Sequence, residues 1–385
     1  MPVIIDPRIA QAVADNRTRI LAFLKEIVEH SSASADKAGV EWIGERITRE
    51  MPRRFTREVV NQDRYGNHLI FSHLLPPRLP AVMAGHMDTV CPPGFDRLTP
   101  DGDLLRGPAT ADMKGGLAVL VWALNILEHV GLLENLPVVC IFNTDEEVNS
   151  PTSRDLFTGM RGKASAGLVF ECAGLNNSAV TTRRGIAVYD LRITGQPGHA
   201  GLYQGEKVSA IQEAAHKVLA IEALNRPDNS LRAHVGMIRG GIAYNAIPED
   251  ATVTFELRYW DPTVGEQAMN AIQQTLTRPA VPGCRLTLKR RTFRPPMRPD
   301  ENAAKLFRLA QGVAASLGQT LPPEERGGGS DASWLAHVGI PAIDGLGPIG
   351  DNDFTDREYL VTESLFQRIV LTAHLLLNLE YRRGP

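Results

Sequence analysis

The chain has 385 residues, 43% of them hydrophobic and 22% charged, with 41 basic and 44 acidic side chains and a formal net charge of −3. That length exceeds one ordinary hydrophobic core, so two domains are expected, and the composition is that of a globular chain. The near balance of charge excludes bulk attraction to nucleic acid or a membrane surface, and the dispersed Cys91, Cys140, Cys172 and Cys284 suit reduced thiols rather than a disulfide frame.

The N-terminal stretch has no apolar signal core, and no uncharged run reaches membrane-spanning length, so a cytoplasmic location is expected. Residues 7–30 carry Ile9, Val13, Ile20, Leu21, Leu24 and Ile27 at helical spacing, which predicts one amphipathic helix. A second helix is predicted over 38–50. Strand-like pieces follow: FTREVV, NHLIFSHL, and the fully apolar AVMAG, which runs into His86-Met87-Asp88. Asp112 lies between a Gly/Pro/Thr-rich loop and Lys114-Gly115-Gly116, where a helix over 115–129 begins. NLPVVCIFN reads as a buried strand ending in Thr144-Asp145-Glu146-Glu147, and AGLVF as another ending in Glu171. Apolar strands alternating with helices predict an α/β domain with a mainly parallel sheet and its site at the strand carboxyl ends.

Near residue 184 the pattern changes. Strand-like VYDLRITG, a helix over 208–224, the strands RAHVGMIRGG and ATVTFELRYW, a helix over 263–277 and the strand RLTLKRRTF follow in order. This β-α-β-β-α-β series predicts a ferredoxin-like α+β domain inserted at 184–293, splitting the first domain into 1–183 and 294–385. The last part offers a helix from about 301, the Gly327-Gly328-Gly329-Ser330 stretch, a short strand IPAID and a final helix over 362–379.

The polar groups at the strand ends are His86, Asp88, Asp112, Asp145, Glu146, Glu147 and Glu171. A neutral imidazole and hard carboxylates are what a zinc-like ion requires. Any one of them is ordinary as a solvated loop carboxylate or a satisfied strand-end histidine; the set at successive strand ends is not. Two ions a few ångströms apart need a bridging carboxylate, terminal ligands and a carboxylate free to activate water. Of the adjacent Glu146 and Glu147, one can bind metal and the other act as base. Asp88 is spaced to hold the second nitrogen of His86.

Seven stretches together, GHMDTV, GPATADMKGG, TDEEVNSPTSR, VFECA, GQPGHAG, GIAYNAIPEDA and RGGGSDAS, make the chain similar over nearly its whole length to the co-catalytic metallopeptidases that include glutamate carboxypeptidase, aminoacylase and succinyl-diaminopimelate desuccinylase. The resemblance implies a zinc-peptidase-like catalytic domain with the inserted domain serving for dimerisation. It implies that Asp112 bridges two zinc ions, that His86 and Glu171 complete one site, that Glu147 serves the other, that Glu146 is the general base, and that Asp88 orients His86. It further implies that His199 crosses a homodimer interface to stabilise an oxyanion, that Asn245 lies near substrate, and that Arg258 grips a substrate carboxylate. A turn histidine and an exposed strand charge are the plain readings of His199 and Arg258. Gly328 and its neighbours either bring amides close to a ligand or form a turn, and Arg294 is a further carboxylate-binding candidate.

One position departs from the family pattern. Its final histidine ligand, ahead of a Glu-Tyr pair, corresponds here to Phe354 in Asp351-Asn352-Asp353-Phe354-Thr355-Asp356-Arg357-Glu358-Tyr359. A phenyl ring cannot ligate a metal. Asp353 or Asp351 supplies an oxygen instead, favouring manganese over zinc; or one ion at His86, Asp112 and Glu171 suffices; or activity is weakened. The expected function is hydrolysis of an amide C–N bond in a small carboxylate-bearing substrate, a C-terminal peptide residue or an N-acyl amino acid, by one or two zinc or manganese ions. The alternatives are an aminohydrolase acting on an aromatic amine carboxylate, with Phe354 lining the substrate, and a weakened binding homologue.

Overall fold

The computed structural model describes residues 3–91 and 95–384. The chain divides into two compact units, one of Met1–Thr182, Arg298–Arg326 and Ser330–Pro385, the other of Arg183–Met297 with Gly327–Gly329.

The first unit is built on a six-stranded sheet in the order Thr56–Val60, His68–His73, Val138–Asn143, Ala81–His86, Ala166–Val169, Ala342–Ile343. The last four strands run parallel, and the first two are added antiparallel at one edge, so the sheet is mixed. Ala81–His86 and Val138–Asn143 are buried at every position, as strands covered on both faces must be. The helix Gly115–His129 packs beside them and is buried on nearly all sides. The stretch Thr110–His129 has the length and hydropathy of a membrane-crossing helix, but it carries Asp112, Lys114 and Glu128, and 89% of its window is buried inside the protein. It is a core helix.

The single helix expected over 7–30 is two, Pro7–Asp15 and Arg17–Val28. Asn16 divides them: its backbone leaves the helical region at ψ 7°, and its Nδ2 donates to Ala12 O at 2.8 Å. A short amide side chain that competes for backbone carbonyls breaks a helix in this way.

The second unit has four strands in the order Leu231–Gly240, Asp250–Tyr259, Gly185–Thr194, Arg285–Arg294, all antiparallel, with the helices Ala210–Glu222 and Pro262–Leu276. This is the split β-α-β arrangement. Burial alternates along Asp250–Tyr259, and its inward Val253, Phe255 and Leu257 pack with Leu191 and Ile193 as the core of this unit. Arg294 belongs here rather than to the flanking segment expected from 294 onward. Its strand still pairs with Ile186, and Met297 bridges back to Arg183. Gly328 also belongs here, because Arg183 Nη1 donates to the carbonyls of Gly328 and Gly329 at 3.1 and 3.2 Å.

Candidate metal centre

The parallel register aligns His86 with Asn143 and Ala84 with Val169, so three strands end side by side. His86 closes its strand, Glu171 follows Ala166–Val169 by two residues, and the turn Glu146–Val148 follows Val138–Asn143. Asp112 enters from an irregular turn over Thr110–Lys114, where its backbone is extended (φ −117°, ψ 94°) and its peptide bond to Met113 is cis. The turn is seated by close approach: a Cβ on Gly116 would lie 1.8 Å from Phe170 O, so only glycine lets the helix start against the neighbouring strand end.

His86, Asp112 and Glu171 offer ligand atoms that all lie within 4.8 Å of one another, the one such group among the described residues. His86 Nε2 is 3.1 Å from Asp112 Oδ1 and 3.6 Å from Glu171 Oε1. Its Nδ1 is 2.8 Å from Asp88 O, a carbonyl that can only accept, so Nδ1 carries the proton and Nε2 is aimed at the carboxylates. The imidazole is thus oriented by the main chain of Asp88. The Asp88 carboxylate, expected to do this, stands 3.5 Å from Nδ1 and accepts instead from Ser34 Oγ (2.7 Å) and from the amides of Glu146 and Glu147 (3.2 and 3.3 Å). It ties the glutamate turn to the histidine strand.

The cluster is short of positive charge. Burial opposes a charge on His86, but Asp112, Asp88 and Glu171 together hold its pKa well above the ordinary value. Burial, then the Asp112 charge, pushes Glu171 far above the usual carboxyl range, Glu147 up to about 10 and Asp353 up to about 6. Glu147 Oε1 and Asp353 Oδ1 are buried and accept no hydrogen bond. Orphaned carboxylate oxygens around an aimed imidazole fit a divalent cation, whose charge satisfies them all.

Asp353 and Phe354 lie between the short strands Gly350–Asp351 and Tyr359–Val361. Phe354 is 48% exposed and has left-handed backbone (φ 64°). In the second unit, His199 and Asn245 come together: Gly198–His199 pairs with Ala246–Ile247, and Ala200 N donates to Asn245 O at 2.8 Å. Both side chains are exposed. Arg258 is half-buried and already paired, its Nε 2.7 Å from Glu256 Oε1 and its Nη1 3.0 Å from Gly327 O. Arg294 is buried, and the chain of Gly329 passes so close that a Cβ there would meet Arg294 Cδ at 2.6 Å.

Two residues without an expected role hold the centre in place. Glu358, 1% exposed, accepts the amides of Ala109 (2.9 Å), Ala111 (2.8 Å) and Asp112 (3.0 Å). Asp331 accepts from Asn143 Nδ2 and Ser150 Oγ, both at 2.6 Å, on either side of the glutamate turn. The Glu-Tyr pair and the RGGGSDAS stretch were their only signals.

The family model for peptidase family M20/M25/M40 matches residues 82–378. The chain belongs to this family. Among M20 relatives, carboxypeptidase G2 of Pseudomonas sp. (strain RS-16) is 28% identical over 378 residues, covering 96% of this chain and 91% of that one. A tripeptidase from Staphylococcus aureus has the same fold, with a TM-score of 0.75 at 21% identity over 94% of this chain and 98% of its own. So does the Bacillus subtilis YXEP protein, a dinuclear metal-binding peptidase of the M20 family, with a TM-score of 0.69 at 16% identity over 96% and 100%. As an M20 member the chain is a hydrolase acting on peptide C–N bonds.

Proposed function

We propose that this M20 hydrolase cleaves the amide C–N bond of a small carboxylate-bearing substrate, a C-terminal peptide residue or an N-acyl amino acid, with Glu146 as general base. The observation that carries the reading is the convergence of His86, Asp112 and Glu171 within 4.8 Å, with the Glu146–Val148 turn tied to the same strand end through Asp88. These three side chains would hold a divalent cation, which would supply Lewis-acid polarisation and a more acidic water. Glu146 would take a proton from the attacking water and return it to the leaving amine as the C–N bond breaks. Asp88 and Glu358 fix the two chain segments that carry the acids. Arg258 is offered to the substrate carboxylate in exchange for Glu256, and His199 acts across a homodimer interface on the developing oxyanion.

A second ion would be held by Asp112, Glu147 and Asp353, an all-oxygen set suited to manganese. The orphaned oxygens of Glu147 and Asp353 support this assignment. With Phe354 in place of a ligand, that ion is held more weakly than the first. A homodimer through the inserted unit is supported by its exposed Leu202, Leu219, Ile242 and Tyr244, which are 71–100% accessible. A cytoplasmic location is supported by four unpaired cysteines. The exposed Phe354 ring favours one second reading, an aromatic amine carboxylate as substrate.

The test is a panel of dipeptides, N-acyl amino acids and anthranilate-type amides, assayed after loading with zinc, manganese or cobalt. Chelator-sensitive turnover of a carboxylate-bearing amide is expected. No metal uptake and no turnover with any of the three metals would leave a non-catalytic binding homologue in its place. Elemental analysis of Phe354→His should show higher metal content per chain than the parent; equal content would refute the weakened second position.

A further inference from the structure

A guanidinium stands beside the carboxylates of the centre. Arg326 ends the short strand Pro323–Arg326, and its side chain is 20% exposed. Its Nη1 donates at 2.9 Å to the carbonyl of Cys172, the residue that follows Glu171, and lies 3.4 Å from the Cys172 thiol sulfur. On the other side, Nε and Nη2 fork onto Glu324 at 2.8 and 3.4 Å, and Glu324 also accepts from Ser178 Oγ. The guanidinium is therefore fixed from two sides, and an arginine keeps its charge at every working pH.

The segment it grips carries Glu171 and runs beside the approach to Asp353. Glu171 O accepts from Gly347 N at 2.8 Å, Ala173 N donates to Pro348 O at 2.9 Å, and Ala173 bridges in parallel to Ile349. The loop that holds Asp353 follows directly. Burial, then the Asp353 charge, raises the Cys172 thiol, and Arg326 opposes both. Burial, then the Asp112 charge, raises the Asp353 carboxyl to about 6, and here too the Arg326 charge pulls the other way. Arg326 thus acts on both cation positions, on Glu171 through a main-chain hydrogen bond and on Asp353 through its charge.

We propose that Arg326 is a positioning residue that makes the two cation positions unequal. It fixes the strand end that presents Glu171 to an ion shared with His86 and Asp112. Its permanent charge opposes a second ion at Asp112, Glu147 and Asp353, because the Asp353 carboxylate already faces a cation. Phe354, which withholds a ligand from that second position, and Arg326 then act in the same direction. The charge role rests on the second position of the proposed function; the positioning role needs only the group of His86, Asp112 and Glu171.

Zinc and manganese affinities of the full chain are measured by competition against a fluorescent chelator, with elemental analysis for stoichiometry, at about pH 8.5, where the proton on Asp353 no longer competes. Arg326→Met should weaken the first ion by about 10- to 100-fold, the usual effect of losing the support behind a ligand. The same variant should tighten the second ion by about three- to tenfold, because a nearby like charge is gone. Arg326→Lys keeps the charge and loses the fork, so it should weaken the first ion and leave the second as in the parent. A merely structural role would move both affinities in one direction. Arg326→Met combined with Glu324→Gln removes the carboxylate left without its arginine; it should show the same opposed shifts with a Tm nearer the parent's. An unchanged first Kd in both Met variants overturns the positioning role, and a second Kd that weakens or stays put in them overturns the charge role. If no second ion binds any form, the second position fails and the charge role with it, while the first Kd still decides the positioning role. Opposed shifts without turnover of any amide refute the proposed function and leave Arg326 as assigned.

Discussion

Replacing Glu358 by glutamine tests whether a buried carboxylate far along the chain holds the metal-binding turn. Oε1 accepts the amides of Ala111 and Asp112, and Oε2 that of Ala109, all between 2.8 and 3.0 Å. Bonds to a charged acceptor contribute about 1.5–3 kcal/mol each and neutral ones about half that. Glutamine keeps one neutral oxygen for two amides and turns its NH2 against the third, leaving a buried donor unmatched at a cost of about 1–3 kcal/mol. An opposing gain comes from removing a charge that burial and Asp112 already disfavour, shown by a pKa pushed up to about 7. The net is a loss of about 2 kcal/mol, a fall of a few degrees in Tm for the metal-free chain. Because Asp112 loses the clamp on its own amide, zinc affinity should fall by about 10- to 100-fold, the usual effect of losing a ligand's support. Calorimetric scanning gives the first quantity and competition against a fluorescent chelator the second. An unchanged zinc Kd beside a lowered Tm would mean that Glu358 serves the fold and not the ligand. No change in either would refute the three hydrogen bonds.

Glu146→Gln should lower turnover by about 10²–10⁴-fold with metal content unchanged; a parallel loss of metal in elemental analysis would make Glu146 a ligand instead. Burial and the Asp112 charge push Asp353 up to about 6 and Glu147 up to about 10, so Glu147 at neutral pH, and Asp353 below about pH 6, hold a proton that a cation must displace. Metal uptake should therefore weaken as pH falls through about 6 and should release protons in weakly buffered solution; uptake without proton release contradicts this. The same raised values make the metal-free chain more stable when these groups are protonated, with that stability lost as pH rises through their folded pKa values, so its Tm should decline from pH 5 toward 8, by a linkage slope approaching two protons below about pH 6 and about one, from Glu147, above it. Gly116→Ala places a methyl 1.8 Å from Phe170 O and should cost at least about 1–3 kcal/mol of overpacking, read as a lower Tm or loss of soluble protein; an unchanged Tm would show that the helix start can slide.

Much of the fold was legible in the residues because its signals are local. Apolar runs such as 81–85 and 138–142 are strands buried on both faces, alternation along 250–259 is a half-exposed strand, and the helix at 115–129 begins where its glycines begin. The candidate ligands followed, since parallel strands bring their carboxyl ends together and His86 and Glu171 stand at such ends. What tertiary structure decided depends on partners that no local pattern names. Glu358 meets the Asp112 amide across 246 residues. The imidazole of His86 takes a main-chain carbonyl rather than the Asp88 side chain, and Arg232 faces Arg258 only because of the register between two strands. Burial periodicity is written in neighbouring residues; register and long-range hydrogen bonding arise only when the chain closes on itself.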